Sequence, residues 1–418
     1  MQLPNWPYLT SDLPGMPGQV KSRPEDFLVE EIPQYLPGGQ GDHIYFQVEK
    51  TGITTLELIR RLSRALGRRD RDFGYAGLKD AQAVTRQTVS LEHADPDQIR
   101  NVNIPGVKIL EVNRHSNKIK LGHLAGNKFW IKLRQVPGDA AAAAQKGLDV
   151  LLKRGVPNYF GHQRFGMRGD SWILGRAVLR EDLKEFMDLF CGRPRDTDRD
   201  QVRKARELYD KGHYELASKV WPGFFRDNKR ACGLLAVKPD NLVRAYASVD
   251  RKFKRLFVSA YQSYLFNQAL ARRIDTLDHI LGGDVAMKED NGAMFHVTDH
   301  DAEQPRADRF EISPTGPIFG FKMITPEGRE GEIENEILVA EGLTPEDFKK
   351  TKGHKLKGTR RPFRVQMTNL EVQTGDDDAG DYLFLRFDLP SGSYATAVLR
   401  ELMKDHFARQ YQINLGES

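Results

Sequence analysis

The chain has 418 residues, more than one ordinary domain, and its 39% hydrophobic and 29% charged content excludes a disordered or fibrous polymer. Its 63 Lys and Arg against 58 Asp and Glu leave a net charge of only +5, so a polyanionic partner has to be gripped by local clusters, not by bulk charge. Two cysteines without a CxxC or zinc spacing, no apolar run near the roughly 18 residues of a membrane span, and an N-terminus unlike a secretion signal point to a reducing, cytoplasmic setting away from membranes.

The first eighteen residues hold four prolines and read as an extended arm or loop. Phe27 to Glu31 and Ile44 to Val48 alternate as strands, with Gly38-Gly39 as the turn between them. Residues 54 to 66 carry Leu56, Ile59, Leu62 and Leu66 as an apolar helical stripe, with a threonine cap and Gly67 as a stop. Off the stripe lie Arg60, Arg61, Arg64, Arg68, Arg69 and Arg71 with a single acid, Asp70, a bias that suits an anion-facing surface as well as a solvated one. Residues 73 to 76 and the run from Ala83, where Ala83, Thr85, Gln87, Val89 and Leu91 share one side, are strands around the turn Gly77-Leu78-Lys79-Asp80. Asp80 then stands at a strand end beside Lys79, with Gly77 allowing close approach. A carboxylate fixed there beside a cation suits a nucleophile, and it also suits a plain turn residue.

Residues 107 to 112 and 128 to 135 alternate again, the second preceded by Gly122 and Gly126, which loosen the backbone around Asn127. An alanine-rich helix from Asp139 to about Arg154 follows. From Asn158 helices dominate, at 181 to 190, 199 to 211 and 253 to 274, the last with Phe257, Tyr261, Tyr264, Leu265 and Ala269 as a packing stripe. Loops and short strands run from Ile280 to Ile333. His296 and His300 are four apart but stand in a strand-and-loop context, which disfavours a metal site. Eight of the sixteen residues Lys349 to Arg364 are Lys or Arg, either a solvated loop or a phosphate-contacting one with Gly353, Gly358 and Phe363. GDDDAGD at 375 to 381 reads as an acidic hairpin loop. Tyr382 to Leu389 is a strand leading into a helix capped by Ser393 or Thr396. The pattern is α+β: a mixed, mainly antiparallel sheet flanked by helices in 1–157 and 364–418, interrupted by a largely helical insertion at 158–363.

The motifs RPEDFLVEE, GLKD, GNKF, VPNYFGHQRFG, SAYQSYLFNQ and PSGSYATAVLRE occur in this order over nearly the whole chain. In this they resemble the TruD family of pseudouridine synthases. The resemblance implies a pseudouridine-synthase-type catalytic domain with a TRUD insertion domain. It also implies isomerisation of uridine to pseudouridine in tRNA, usually at position 13, with other structured RNA as a further candidate substrate. The expected enzyme is a cytoplasmic monomer needing no cofactor, metal or protein partner. Carried over, Asp80 is the nucleophile and Lys21 its basic partner. Glu25, Phe27, Asn127 and Phe129 belong to the substrate site, with the Phe129 ring near the uracil. Tyr394 stands where the family often has Phe, keeping a stacking ring and adding a hydroxyl. Breaking N1–C1′, turning the base and making C5–C1′ is redox-neutral, and attack at C1′ or at C6 both remain open. The base has to be flipped out and restacked on aromatic rings, while the basic segments 60–71 and 349–364 hold phosphates.

Overall fold

The computed structural model describes residues 4–350 and 356–410 and divides into two compact units. One comprises Thr10–Val156 and the segment from Val365; the other is built on Pro157–Arg364 with the N-terminal residues to Leu9. The start of the chain therefore goes with the second unit and not with the sheet, as Trp6 shows by lying against Tyr159 and Tyr264 at ring separations of 6.2 and 5.7 Å.

The first unit is organised on one eight-stranded sheet. Its strands are β1 (Phe27–Pro33), β2 (His43–Thr51), β3 (Phe73–Tyr75), β4 (Val84–Glu92), β5 (Val107–His115), β6 (Leu124–Arg134), β7 (Thr368–Asp377) and β8 (Gly380–Pro390). The order is β7-β8-β6-β1-β4-β2-β5, with β3 paired to β4. The β1–β4 pair is parallel and the remaining pairs are antiparallel. β1 and β2, read as strands joined by the Gly38-Gly39 turn, thus are not paired with each other. β4 lies between them, and the glycine turn instead carries the chain past β5, where the Gly39 N–H donates to the Arg114 carbonyl.

Helix α1 (Thr55–Ala65) covers β2 and β4. Its buried stripe is Leu58, Ile59 and Leu62, with Leu66 at the cap, packed against Ile44, Phe46, Val48, Val89 and Leu91. Leu56 lies off this stripe and is exposed, because the 3.6-residue period places it on the far side from Leu58. Burying four such side chains contributes on the order of 1.5–3 kcal/mol each and fixes the helix start, which matters below. Helix α2 (Ala140–Arg154) packs on α3 (Ala395–Met403), where a Cβ on Gly147 would come within 2.9 Å of Leu402. The cap of α3 is Tyr394, not Ser393 or Thr396, and it makes no side-chain capping bond. The acidic residues 375–381 do form a hairpin turn, but Asp377 accepts from Lys132 and Arg134 and Asp378 accepts from Arg23.

The second unit packs Arg251–Arg272 across Ser171–Leu179 so closely that a Cβ on Gly175 would meet the Phe257 carbonyl at 2.0 Å, and Trp172 stacks on Tyr264 at 3.9 Å. Beside these helices stands a four-stranded sheet in the order Thr359–Pro362, Ile312–Ile318, Val285–Lys288, Met294–His296. This placement corrects part of the reading of the basic run. Arg360 is fully buried against Glu334 at 2.6 Å and Arg364 and Phe363 are buried, so these residues hold the unit together and are not offered to phosphates. Residues 351–355, with Gly353, lie outside the described residues. His296 ends a strand and His300 starts a helix, and among the described residues no group of three His, Cys, Asp or Glu could hold a metal. No described helix is long and apolar enough to cross a membrane.

Candidate active site

The RPED turn brings Lys21 into place. Gln19 bridges to Arg134 of β6, and a 3-10 turn, Pro24–Asp26, leads directly into β1. Asp26 is buried, and it accepts from Arg134 Nε at 2.8 Å, from Arg134 Nη2 at 2.6 Å and from its own turn through Arg23 N at 3.1 Å. The other donors of Arg134 go to Asp377 and to the Gly380 carbonyl, so all five guanidinium N–H groups are used. This buried anchor ties the turn to the sheet. Lys21 itself has φ of 59°, a left-handed conformation costly for a residue with a Cβ. Its Nζ stands 3.7 Å from Asp80 Oδ2 and 4.5 Å over the Phe27 ring. Burial pushes the Lys21 ammonium below its ordinary pKa, and the Asp80 carboxylate opposes that shift.

Asp80 sits in the loop between β3 and β4, four residues before β4 begins. Its side chain is 54% exposed, yet its backbone is pinned from two sides. The Asp80 carbonyl accepts from Lys50 Nζ at 2.9 Å, and Lys50 also donates to the Ile53 carbonyl at 2.6 Å. The neighbouring Lys79 N–H donates to Thr55 Oγ1 at 2.8 Å, and the Lys79 carbonyl accepts from the Thr55 N–H at 3.4 Å. The start of α1, fixed by its buried stripe, therefore holds the loop that carries Asp80. Burial pushes the fully enclosed Lys50 ammonium down to about 8, against the pull of Asp80.

Lys79 does not serve as the cation beside Asp80. Its Nζ turns inward, 3.2 Å from Glu31 Oε1 of β1 and 2.5 Å from Asn127 Oδ1 of β6. Glu31 Oε2 in turn accepts from the Thr88 N–H at 3.1 Å. Burial pushes the Glu31 carboxyl above its usual range and Lys79 opposes it. Gly77 has no left-handed φ, and a Cβ there would meet Glu31 Oε1, Leu124 Cδ2 and Lys79 Nζ at ordinary contact distances of 3.7, 3.8 and 3.9 Å, so the close approach read from the sequence is absent. Gly126 does the reverse of loosening. It lies within β6, and a Cβ would come within 2.5 Å of the Leu389 carbonyl, so glycine is what lets β8 pair tightly beside Asn127.

The register sets Val29 opposite Phe129 and Glu31 opposite Asn127, placing these side chains on one face of the sheet. Phe27 and Phe129 pack edge to face at 6.4 Å, with Phe387 5.5 Å from Phe129, and each of the two is only 6% exposed. Tyr394 is 44% exposed; its loop follows Pro390, which pairs with Gly126, and Ser391 N donates to the Ala125 carbonyl, so it stands at the Asn127 end of β6. Glu25 is not brought to this group. The 3-10 turn points Asp26 inward and Glu25 outward, into a shallow pocket with Leu28, Arg86, Trp130, Lys132 and Phe384 on the other sheet face. Sequence reasoning also missed Asp26, Arg134, Glu31 and Lys50. Only the charged residues embedded in alternating apolar strands hinted at them.

A half-exposed carboxylate on the loop between β3 and β4 thus faces Lys21, and Lys79 of the same loop reaches the Asn127 amide on β6. Residues 5–402 match the family described as tRNA pseudouridine synthase D (TruD). The tRNA pseudouridine synthase D of Geobacter sulfurreducens is 51% identical over 95% of this chain and 96% of its own length, and that of an Anaeromyxobacter species is 38% identical over 95% and 96%. A crystal structure from Methanosarcina mazei, assigned as a TruD-type tRNA pseudouridine synthase, superposes with a TM-score of 0.83 at 29% identity, covering 97% of this chain and 99% of that one. The chain belongs to the TruD family of pseudouridine synthases.

Proposed function

We propose that this chain converts uridine to pseudouridine in tRNA, at position 13, with Asp80 as the nucleophile. The observation that carries the reading is the half-exposed Asp80 carboxylate, rigid at its backbone and facing the Lys21 ammonium at 3.7 Å. Pinning the nucleophile removes the entropy of finding the attacking geometry. The Lys21 ammonium, 3.7 Å away, orients the carboxylate. Both C1′ and C6 of a uridine are electrophilic positions open to such a carboxylate, and either route ends with C5–C1′ formed and the C5 proton released.

The target base has to leave its stack to reach Asp80. Tyr394, the exposed ring, stacks on it, while Phe27 and Phe129 form the apolar wall under Lys21 and beside Asn127. Phosphates are held on the arginine face of α1 and its C-terminal loop. Arg60 and Arg61 pair with Glu57, and Arg69 with Asp72 at 3.7 Å, whereas Arg64, Arg68 and Arg71 have no carboxylate within 4 Å among the described residues. The sheet unit is then the catalytic domain and the unit Pro157–Arg364 the TRUD insertion. The test is to incubate the purified protein with unmodified tRNA and map pseudouridine by chemical sequencing. Conversion at position 13 is expected, and unchanged uridine at every position would refute the assignment.

A further inference from the structure

Asn127 carries one acceptor and two donors on the same amide, and a flip of its side chain exchanges them. What faces the site is thus decided by what the amide meets on its inner side. There it meets Lys79 Nζ at 2.5 Å, and an ammonium can only donate. The inner atom must therefore be Oδ1, which leaves Nδ2 as the outward group. Lys79 is held in turn by Glu31 at 3.2 Å, with side chains only 8% and 4% exposed, and Glu31 is fixed by the Thr88 N–H. Strand pairing on both sides, to Glu31 and to Leu389, leaves the Asn127 backbone no freedom to compensate.

We infer that the buried Lys79–Glu31 pair is a positioning device that fixes Asn127 as a hydrogen-bond donor to a carbonyl oxygen of the target base. This rests on the uridine-isomerising reading above and adds residues to it. A donor-only face donates to a uracil oxygen, and where that oxygen is O4 it leaves the amino group of cytosine unmatched. It also meets the charge the reaction creates. Attack at C1′ releases the base as an anion with charge on its oxygens, and attack at C6 pushes electrons onto O4. In either case an N–H donor, polarised by an ammonium one hydrogen bond behind it, stabilises that oxygen.

The test is Lys79→Met assayed on three tRNAs whose target is uridine, 2-thiouridine or 4-thiouridine, with tRNA affinity and thermal unfolding measured alongside. Sulfur accepts hydrogen bonds weakly. On uridine, kcat should fall roughly tenfold to a hundredfold with tRNA affinity unchanged. On the RNA whose sulfur replaces the contacted oxygen, the loss should shrink to within about threefold; on the other thio-RNA it should persist. If Lys79→Met does not fold, Glu31→Gln, which keeps the side-chain volume, is read in the same assay with the same pattern expected. Equal losses on all three RNAs, or no loss, would overturn the inference. A wild-type protein inactive on tRNA would instead overturn the functional reading on which it rests.

Discussion

Replacing Asp26 with Asn tests whether the RPED turn is held by the buried guanidinium or by packing alone. The change is isosteric, but it sets an amide NH2 against Arg134 donors that Asp26 now receives at 2.6 and 2.8 Å. One Arg134 N–H loses its acceptor, and the pair loses a charge in a place where the side chains are 6% and 1% exposed. Removing one partner of a buried pair costs about 3–5 kcal/mol. Asp377 remains on the same guanidinium, so a loss of about 2–3 kcal/mol is expected, which for a unit of this size lowers its melting temperature by roughly 5–10 °C. Calorimetry reads this directly. Because the turn carries Lys21 in a left-handed conformation, turnover should fall as well, and the Asp26→Asn/Asp377→Asn double variant should depart from additivity. A melting temperature within 1 °C of wild type, with unchanged turnover, would refute the anchoring role.

Neutralising Arg64, Arg68 and Arg71 together should weaken tRNA binding and reduce the salt dependence of log Kd by about 2–3 units, read by filter binding across salt concentrations; an unchanged slope would make that face merely solvated. Tyr394→Ala should reduce single-turnover rate by roughly 5- to 150-fold, the worth of one base–ring stack, whereas Tyr394→Phe should stay within about threefold of wild type. Lys50 gives a pH signature. Its folded pKa of about 8 lies below its ordinary 10.5, so between these values the unfolded chain binds more protons and stability rises with pH. Denaturation midpoints at pH 7.5 and 9.5 should show this gain in wild type and a smaller one in Lys50→Met.

The sheet was legible where alternation was regular, as in β6 and β8, and α1 where four apolar residues recur at helical spacing. Strand order was not, because nothing local in Gly38-Gly39 says that β4 will slip between β1 and β2; that is settled by the packing of α1 on β2 and β4. The site shows the same division. Asp80, Lys21, Asn127 and Tyr394 were named from motifs; Asp80 meets Lys21, and the Asp80 loop reaches Asn127 through Lys79. The inward turn of the Lys79 side chain, and the outward turn of Glu25, depend on dihedral angles that neighbouring letters do not encode. The end of the basic run, Arg360 to Arg364, misled for a related reason: charge density in a sequence does not distinguish an arginine facing solvent from Arg360, whose partner Glu334 is 26 residues away.

The most direct measurement is tritium release from tRNA containing 5-tritiated uridine by the Asp80→Asn variant. Asn keeps the shape of the side chain and removes the attacking carboxylate. Release should fall by more than about 10⁴-fold while tRNA affinity and melting temperature stay at wild-type values. Release at a rate near that of wild type would contradict the account, since no other described carboxylate is set against Lys21.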